Sequence, residues 1–287
     1  MLATFVIGLR EGLEAALIVG IVAAFLRRQG RLDALRLVWA GVVLAVVICA
    51  IVAVALQVVA ASLPQAQQEG LETVIGALAV AMVTYMVVWM RRNARDLKGN
   101  LEGAASSALA NGSATALVAM AFLAVLREGL ETAVFLLAAF QASTAPLAAG
   151  VGALAGILVA VGLGYGIYRG GVRLNMARFF RLTGLVLVLI AAGLVASALH
   201  TAHEAGWLDA GQSTLMDLGG FIRPGSVQSA LITGVLGLQP RPTVIEGLGW
   251  LLYVVPVGLY VAWPQRRGPR RPAESPVGVQ PSVAPPA

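Results

Sequence analysis

Two copies of one charged string stand inside apolar sequence. Arg10-Glu11-Gly12-Leu13-Glu14 lies in a run from Met1 to Leu26, and Arg127-Glu128-Gly129-Leu130-Glu131 in a run from about Ala114 to Phe140. Residues three and four apart share a helix face, so each string would gather two carboxylates and a guanidinium in one arc. Two such helices facing each other would present Glu11, Glu14, Glu128 and Glu131 with Arg10 and Arg127, a net charge of −2. Carboxylate oxygens suit hard, multivalent cations. The two Arg residues would keep them ionised and oriented when no metal is bound. The chemistry predicted is passage of a cation. The competing reading is a pair of buried Arg–Glu bridges that lock helices together. Ionisable groups at membrane depth cost about 2.5–3.5 kcal/mol each and are usually functional, so two copies at matched depth favour the metal reading. Gly12 and Gly129 would let another helix approach closely.

A second set of polar residues is expected at the outer surface. Gln68-Glu69-Gly70-Leu71-Glu72 repeats the string without its Arg, and His200-Thr201-Ala202-His203-Glu204 contains both His residues of the chain. Positions 200, 203 and 204 share one helical face. Glu69, Glu72, His200, His203 and Glu204 are therefore predicted to form an outer site that captures metal, since imidazole and carboxylate both bind iron. The alternatives are an acidic first turn favoured by the helix dipole and a wet, polar helix end. Capture from outside implies uptake, which a cell-negative potential favours by about 2.3 kcal/mol per charge per 100 mV. Met82, Met86, Met90 and Met120 lie in apolar runs and read as packing rather than metal ligands.

These residues must be held in place by membrane-spanning helices. The 287 residues are 59% hydrophobic and 12% charged, with a mean hydropathy of +0.84, whereas soluble domains carry about 25% charged residues. Seven runs are long enough to span: 1–26, 35–61, 71–90, 114–140, 146–168, 179–201 and 247–263. Their length and lack of alternation predict helices rather than a barrel. The first run lacks a basic leader and contains Glu11 and Glu14, so it reads as a retained span. A lone Cys49 excludes intrachain disulfides.

Sixteen of the 20 Lys and Arg residues follow the first, third, fifth and seventh runs. The positive-inside rule places those loops in the cytoplasm, the N-terminus outside and the C-terminus inside. Glu69, Glu72, Glu204, Asp209, Asp217 and Glu246 fall at the opposite surface, an acidic mouth that concentrates cations. The strings are separated by three spans, which inverts the second unit relative to the first. Residues 1–98 and 114–204 are thus expected to be inverted repeats, with a seventh helix at 247–263; such transporters bind substrate where the repeats meet. The domain is expected to cover 1–263. Residues 264–287, rich in Pro and Arg, read as a disordered cytoplasmic tail whose basic cluster meets membrane lipid. No nucleic-acid partner is expected.

At these residues the chain resembles the oxidase-dependent iron permeases, which include the fungal high-affinity and bacterial EfeU-type permeases. The resemblance rests on Leu9-Arg10-Glu11-Gly12-Leu13-Glu14-Ala15 and Leu126-Arg127-Glu128-Gly129-Leu130-Glu131-Thr132. Glu69-Gly70-Leu71-Glu72 and His203-Glu204-Ala205-Gly206-Trp207-Leu208 support it. It implies seven helices, iron as the ion carried rather than a permanently bound cofactor, and handling of iron by Glu11, Glu14, Glu128 and Glu131 with Arg10 and Arg127 in support. It also implies a partner: an extracytoplasmic iron-delivery protein, a multicopper oxidase or a haem peroxidase. The chain departs from the fungal pattern in lacking an Asp-Ala-Ser-Glu string in its outer loops. The sequence therefore predicts an all-α polytopic iron permease of the cytoplasmic membrane, not an enzyme. The alternatives are a permease for another metal such as lead or manganese, an intramembrane carboxylate metalloenzyme, and a scaffold for an oxidase. Di-iron bundle enzymes use Glu-x-x-His, and neither string has a His nearby.

Overall fold

The computed structural model describes residues 1–93, 114–143, 145–169, 175–215 and 241–263. Arg95, Asp96, Lys98, Glu102, Arg173, Asp217, Phe221, Arg223 and the 264–287 tail lie outside the described residues. Seven helices account for most of what is described: α1 (Leu2–Arg28), α2 (Leu32–Ser62), α3 (Gln65–Asn93), α4 (Ala114–Gln141), α5 (Pro146–Tyr168), α6 (Met176–Glu204) and α7 (Val244–Ala262). The sole β pairing among the described residues is an isolated antiparallel bridge between Thr214 and Thr243.

Five helices, α2, α3, α5, α6 and α7, are long and apolar enough to cross a membrane. Helices α1 and α4, with 27 and 28 residues, are equally long but carry the charged strings.

Local signals set the helix ends. Pro146 opens α5 at a position where a missing N–H costs nothing. The Asn175 side chain accepts from the Arg178 N–H at the start of α6. Helix α6 stops at Gly206, whose φ of 74° favours glycine. There the Trp207 N–H reaches Ala202 O, and the Gly206 N–H reaches His203 O. At the start of α7, Thr243 and Glu246 cap each other reciprocally.

The helices pair as α1 with α5, α2 with α4, α3 with α6, and α6 with α7, while α1 also meets α4 at the centre. A core of Ala79, Val83, Phe135, Leu187, Val188 and Ile190 joins α3, α4 and α6. A second, built from Val22, Leu26, Val38 and Leu117, joins α1, α2 and α4. Helix α2 is peripheral: 11% of its apolar window is buried, against 56% for α6.

The α1–α5 seam is made of small residues. Gly152, Gly156, Ala160 and Gly164 recur every fourth residue on α5. A Cβ at Gly156 would collide with Phe5 O and Leu9 N, one at Gly152 with Met1 O, and one at Gly164 would approach Ala16 Cβ to 2.6 Å. Gly8 and Gly12 open the facing side of α1 in the same way. The Thr4 hydroxyl donates across the seam to Ala149 O at 2.7 Å. Backbones this close gain dispersion and weak Cα–H···O contacts.

The two ends of the bundle differ in charge. At one end the starts of α1 and α5 meet through Thr4. The start of α3 and the ends of α4 and α6 share a pocket there, and the end of α6 holds the start of α7. Glu69, Glu72, Glu204, Asp209 and Glu246 belong to these segments. At the other end, Arg27 reaches the Tyr168 hydroxyl, Arg91 caps Trp263 O and Arg181 caps Ala262 O; Arg31, Arg36, Arg169 and Arg178 lie in the same segments.

Candidate functional site

The charged strings meet where α1 crosses α4. One carboxylate oxygen from each of Glu11, Glu128 and Glu131 lies within 4.8 Å of the other two. Glu11 is 0% and Glu128 6% exposed, and Oε2 of each is buried with no hydrogen-bond partner. A buried, unpaired carboxylate oxygen is costly, and a cation among the three would supply what it lacks. The donor set is all oxygen and anionic, which suits a hard or borderline metal ion.

The two Arg residues are not equivalent. Arg10 is 1% exposed. Its Nη1 lies 3.2 Å from Glu11 Oε1 and its Nη2 lies 3.2 Å from Glu14 Oε1; Nη1 also contacts Met86 Sδ of α3 at 2.8 Å. Glu14 is thus held beside the trio by Arg10 rather than within it. Arg127 pairs through Nε with Glu131 Oε1 at 2.8 Å, and its side chain is 56% exposed.

The glycines of the two strings do parallel work. A Cβ at Gly12 would meet Ala160 Cβ of α5 at 2.9 Å, and one at Gly129 would meet Cys49 Sγ of α2 at 2.5 Å. Each string is therefore pressed against a neighbouring helix by the face that carries its glycine.

The outer residues divide. His200 Nε2 lies 3.4 Å from Glu204 Oε1, and the Glu69 carboxylate faces that of Glu204, so these three gather between α3 and α6. His203 turns away: its Nδ1 meets Leu208 O at 2.7 Å and lies 4.0 Å from Asp209 Oδ1. Glu72 sits one turn deeper than Glu69. It accepts from Gln68 Nε2 at 3.4 Å and lines a pocket with Gln141, Ser197 and Thr201. The Trp207 ring covers Gly70, where a Cβ would come within 2.9 Å of Cζ2.

Glu246 belongs to this group, although sequence reasoning gave it only a place among the outer acids. It is 2% exposed, and its Oε1 lies 2.9 Å from His200 Nδ1. The string Thr243-Val244-Ile245-Glu246 is a readable capping box, so the sequence marks a helix start there. The bond to His200, 46 residues away, is tertiary and leaves no such mark.

Residues 1–266 match the iron permease FTR1 family. The ferrous iron permease EfeU of Yersinia pestis is 41% identical over 268 residues, covering 93% of this chain and 95% of its own length. The proteins of the same description from Shigella sonnei and Escherichia coli O157:H7 are each 41% identical over 273 residues, covering 93% of this chain and 98% of theirs. No solved structure matches. Paired carboxylate strings on crossing helices and a family match across nearly the whole sequence agree, and the chain belongs to the FTR1 family of iron permeases.

Proposed function

We propose that this permease imports ferrous iron across the cytoplasmic membrane along a path lined by its two charged strings. Glu11, Glu128 and Glu131 bind the ion at the crossing. Arg10 orients Glu11 and Glu14, and Arg127 orients Glu131. The observation that carries this reading is the convergence of the three carboxylates with two buried, unpartnered oxygens. The relatives' description supports ferrous iron as the ion.

The path runs from an acidic outer mouth, where Glu69, His200 and Glu204 concentrate and first hold the ion and Glu72, one turn deeper, receives it; His203 supports this site through the adjoining loop. All seven helices span, α1 and α4 included, because Arg10 and the four carboxylates face the bundle interior, and Arg127, which opens outward, is paired to Glu131. The helix pairing supports an inverted repeat of 1–98 and 114–204 with α7 added. Exchanging α1 with α4, α2 with α5 and α3 with α6 turns the α1–α5 pair into the α4–α2 pair and leaves α1–α4 and α3–α6 unchanged. The Arg-rich end is cytoplasmic by the positive-inside rule, which puts the N-terminus outside. An iron-delivery protein, multicopper oxidase or haem peroxidase would then dock at the acidic end.

Radiolabelled ferrous iron uptake into proteoliposomes tests the reading. Glu128→Gln and Glu131→Gln each remove a charge but keep shape, and should cut the initial rate by about 10- to 100-fold at equal insertion. Uptake at the wild-type rate in both would make the strings structural bridges.

A further inference from the structure

Between the outer acids and the crossing lies a pocket that neither group explains. It is lined by Glu72 and Gly76 of α3, Ala138 and Gln141 of α4, and Ser197 and Thr201 of α6. Its polar groups are all oxygen donors apart from the Gln141 amide nitrogen. Gln141 Oε1 is buried in this wall with no hydrogen-bond partner. A buried amide oxygen left unpaired is costly, and native structures rarely tolerate one without a water or an ion nearby. The Thr201 hydroxyl shares a 2.7 Å bond with Thr73, and a hydroxyl oxygen has two lone pairs, so it keeps acceptor capacity toward the pocket.

Position along the helices is the second line of argument. On α4, Ala138 stands seven residues after Glu131, two turns away, so it lies within about 20° of the same stripe and about 10 Å further out. On α3, Glu72 is one turn deeper than Glu69. On α6, Thr201 lies one turn inward from Glu204, and Ser197 one turn inward from His200. All three helices therefore set the pocket between the outer acids and the carboxylates of the crossing.

We propose that this pocket is a second cation station, in which a divalent ion is held by the Glu72 carboxylate, the Gln141 amide oxygen and the hydroxyls of Ser197 and Thr201. The inference rests on the import path proposed above. One carboxylate and neutral oxygens hold an ion less tightly than three carboxylates, so the ion passes downhill from pocket to crossing. Neutral ligands in place of some hydration waters spread the cost of dehydration over two stages instead of one.

Two measurements on the full chain separate this station from the crossing. The first is ferrous uptake in proteoliposomes. Gln141→Leu, and Ser197→Ala combined with Thr201→Val, should each raise the half-saturating concentration about tenfold with the maximal rate nearly kept, whereas a crossing variant loses the maximal rate. The second is equilibrium dialysis with Mn²⁺ on purified protein carrying Glu11→Gln, Glu128→Gln and Glu131→Gln. Mn²⁺ should remain bound outside the crossing, and adding Gln141→Leu should lower the bound Mn²⁺ by one ion per protein. Gln141→Glu keeps the side-chain shape, guards against a misfolded Leu variant, and should tighten Mn²⁺ binding. Unchanged half-saturation in the first two variants, no Mn²⁺ bound to the triple variant, or no tightening by Gln141→Glu would each overturn the station. Wild-type uptake by the triple variant, with Mn²⁺ still held at the pocket, would instead overturn the crossing and leave the station standing.

Discussion

Arg10 and Arg127 occupy the same place in two copies of one string, yet they live in different surroundings. Arg10 is enclosed by α3 through Met86 and shared between Glu11 and Glu14. Arg127 lies open and serves Glu131 alone. Removing one partner of a buried ion pair leaves an uncompensated charge and costs about 3–5 kcal/mol, while an exposed pair contributes about 0–1 kcal/mol. Arg10→Ala should therefore unfold at markedly lower denaturant than wild type, and Arg127→Ala close to it, in an equilibrium unfolding titration in mixed micelles. Equal losses in the two would show that Arg127 is buried in the membrane-embedded protein. The sequence displayed both Arg residues and all four carboxylates by type and spacing. Which three carboxylates converge depends on how α1 crosses α4, and which Arg is enclosed depends on its contact with Met86 of α3; periodicity holds no record of either. The same holds for Glu246, whose local role as a cap is written in the chain while its His200 partner is not.

At the scale of elements, the small-residue seam explains how α1 comes to present its string. Gly156→Leu would force a side chain into Phe5 O and Leu9 N. Overpacking costs about 1–3 kcal/mol where side chains can yield, and here the obstacle is backbone. The variant should lose folded protein at the membrane, measured as the monodisperse fraction after detergent extraction. Gly162→Ala is its control, because nothing lies within 4 Å of a Cβ there; it should be neutral or stabilise by up to about 1 kcal/mol through helix propensity. Equal behaviour of the two would show that the seam is not close-packed. The apolar runs marked every helix among the described residues, and 146–168 coincides with α5. They missed the polar first turn of α3, which begins at Gln65 rather than at 71, because a hydropathy pattern cannot see a helix that projects beyond lipid. Pro64 O accepts from the Gln67 and Gln68 N–H groups and starts that turn earlier.

At the scale of the whole molecule, most charge among the described residues outside the strings is sorted by end, Asp33 and Arg241 excepted. Arg27, Arg91, Arg169 and Arg181 mark one pole and Glu69, Glu204 and Asp209 the other. With Cys49 replaced by Ala, a membrane-impermeant thiol reagent applied to intact cells should label Asp209→Cys and leave Arg169→Cys unlabelled until the cells are opened. The reverse pattern would invert the proposed orientation and turn the acidic mouth into an exit. This polarity was legible in the sequence because Lys and Arg cluster after alternate runs.

The seam between α1 and α5 also limits how such a bundle can move. Helices whose backbones touch cannot slide lengthwise without driving a carbonyl through a Cα hydrogen, so α1 and α5 share their degrees of freedom and travel as one rod. Helix α4 rests its string on α2 through the Cys49 thiol, a side chain that rotates out of the way. The crossing is thus backed by main chain on the α1 side and by a thiol on the α4 side.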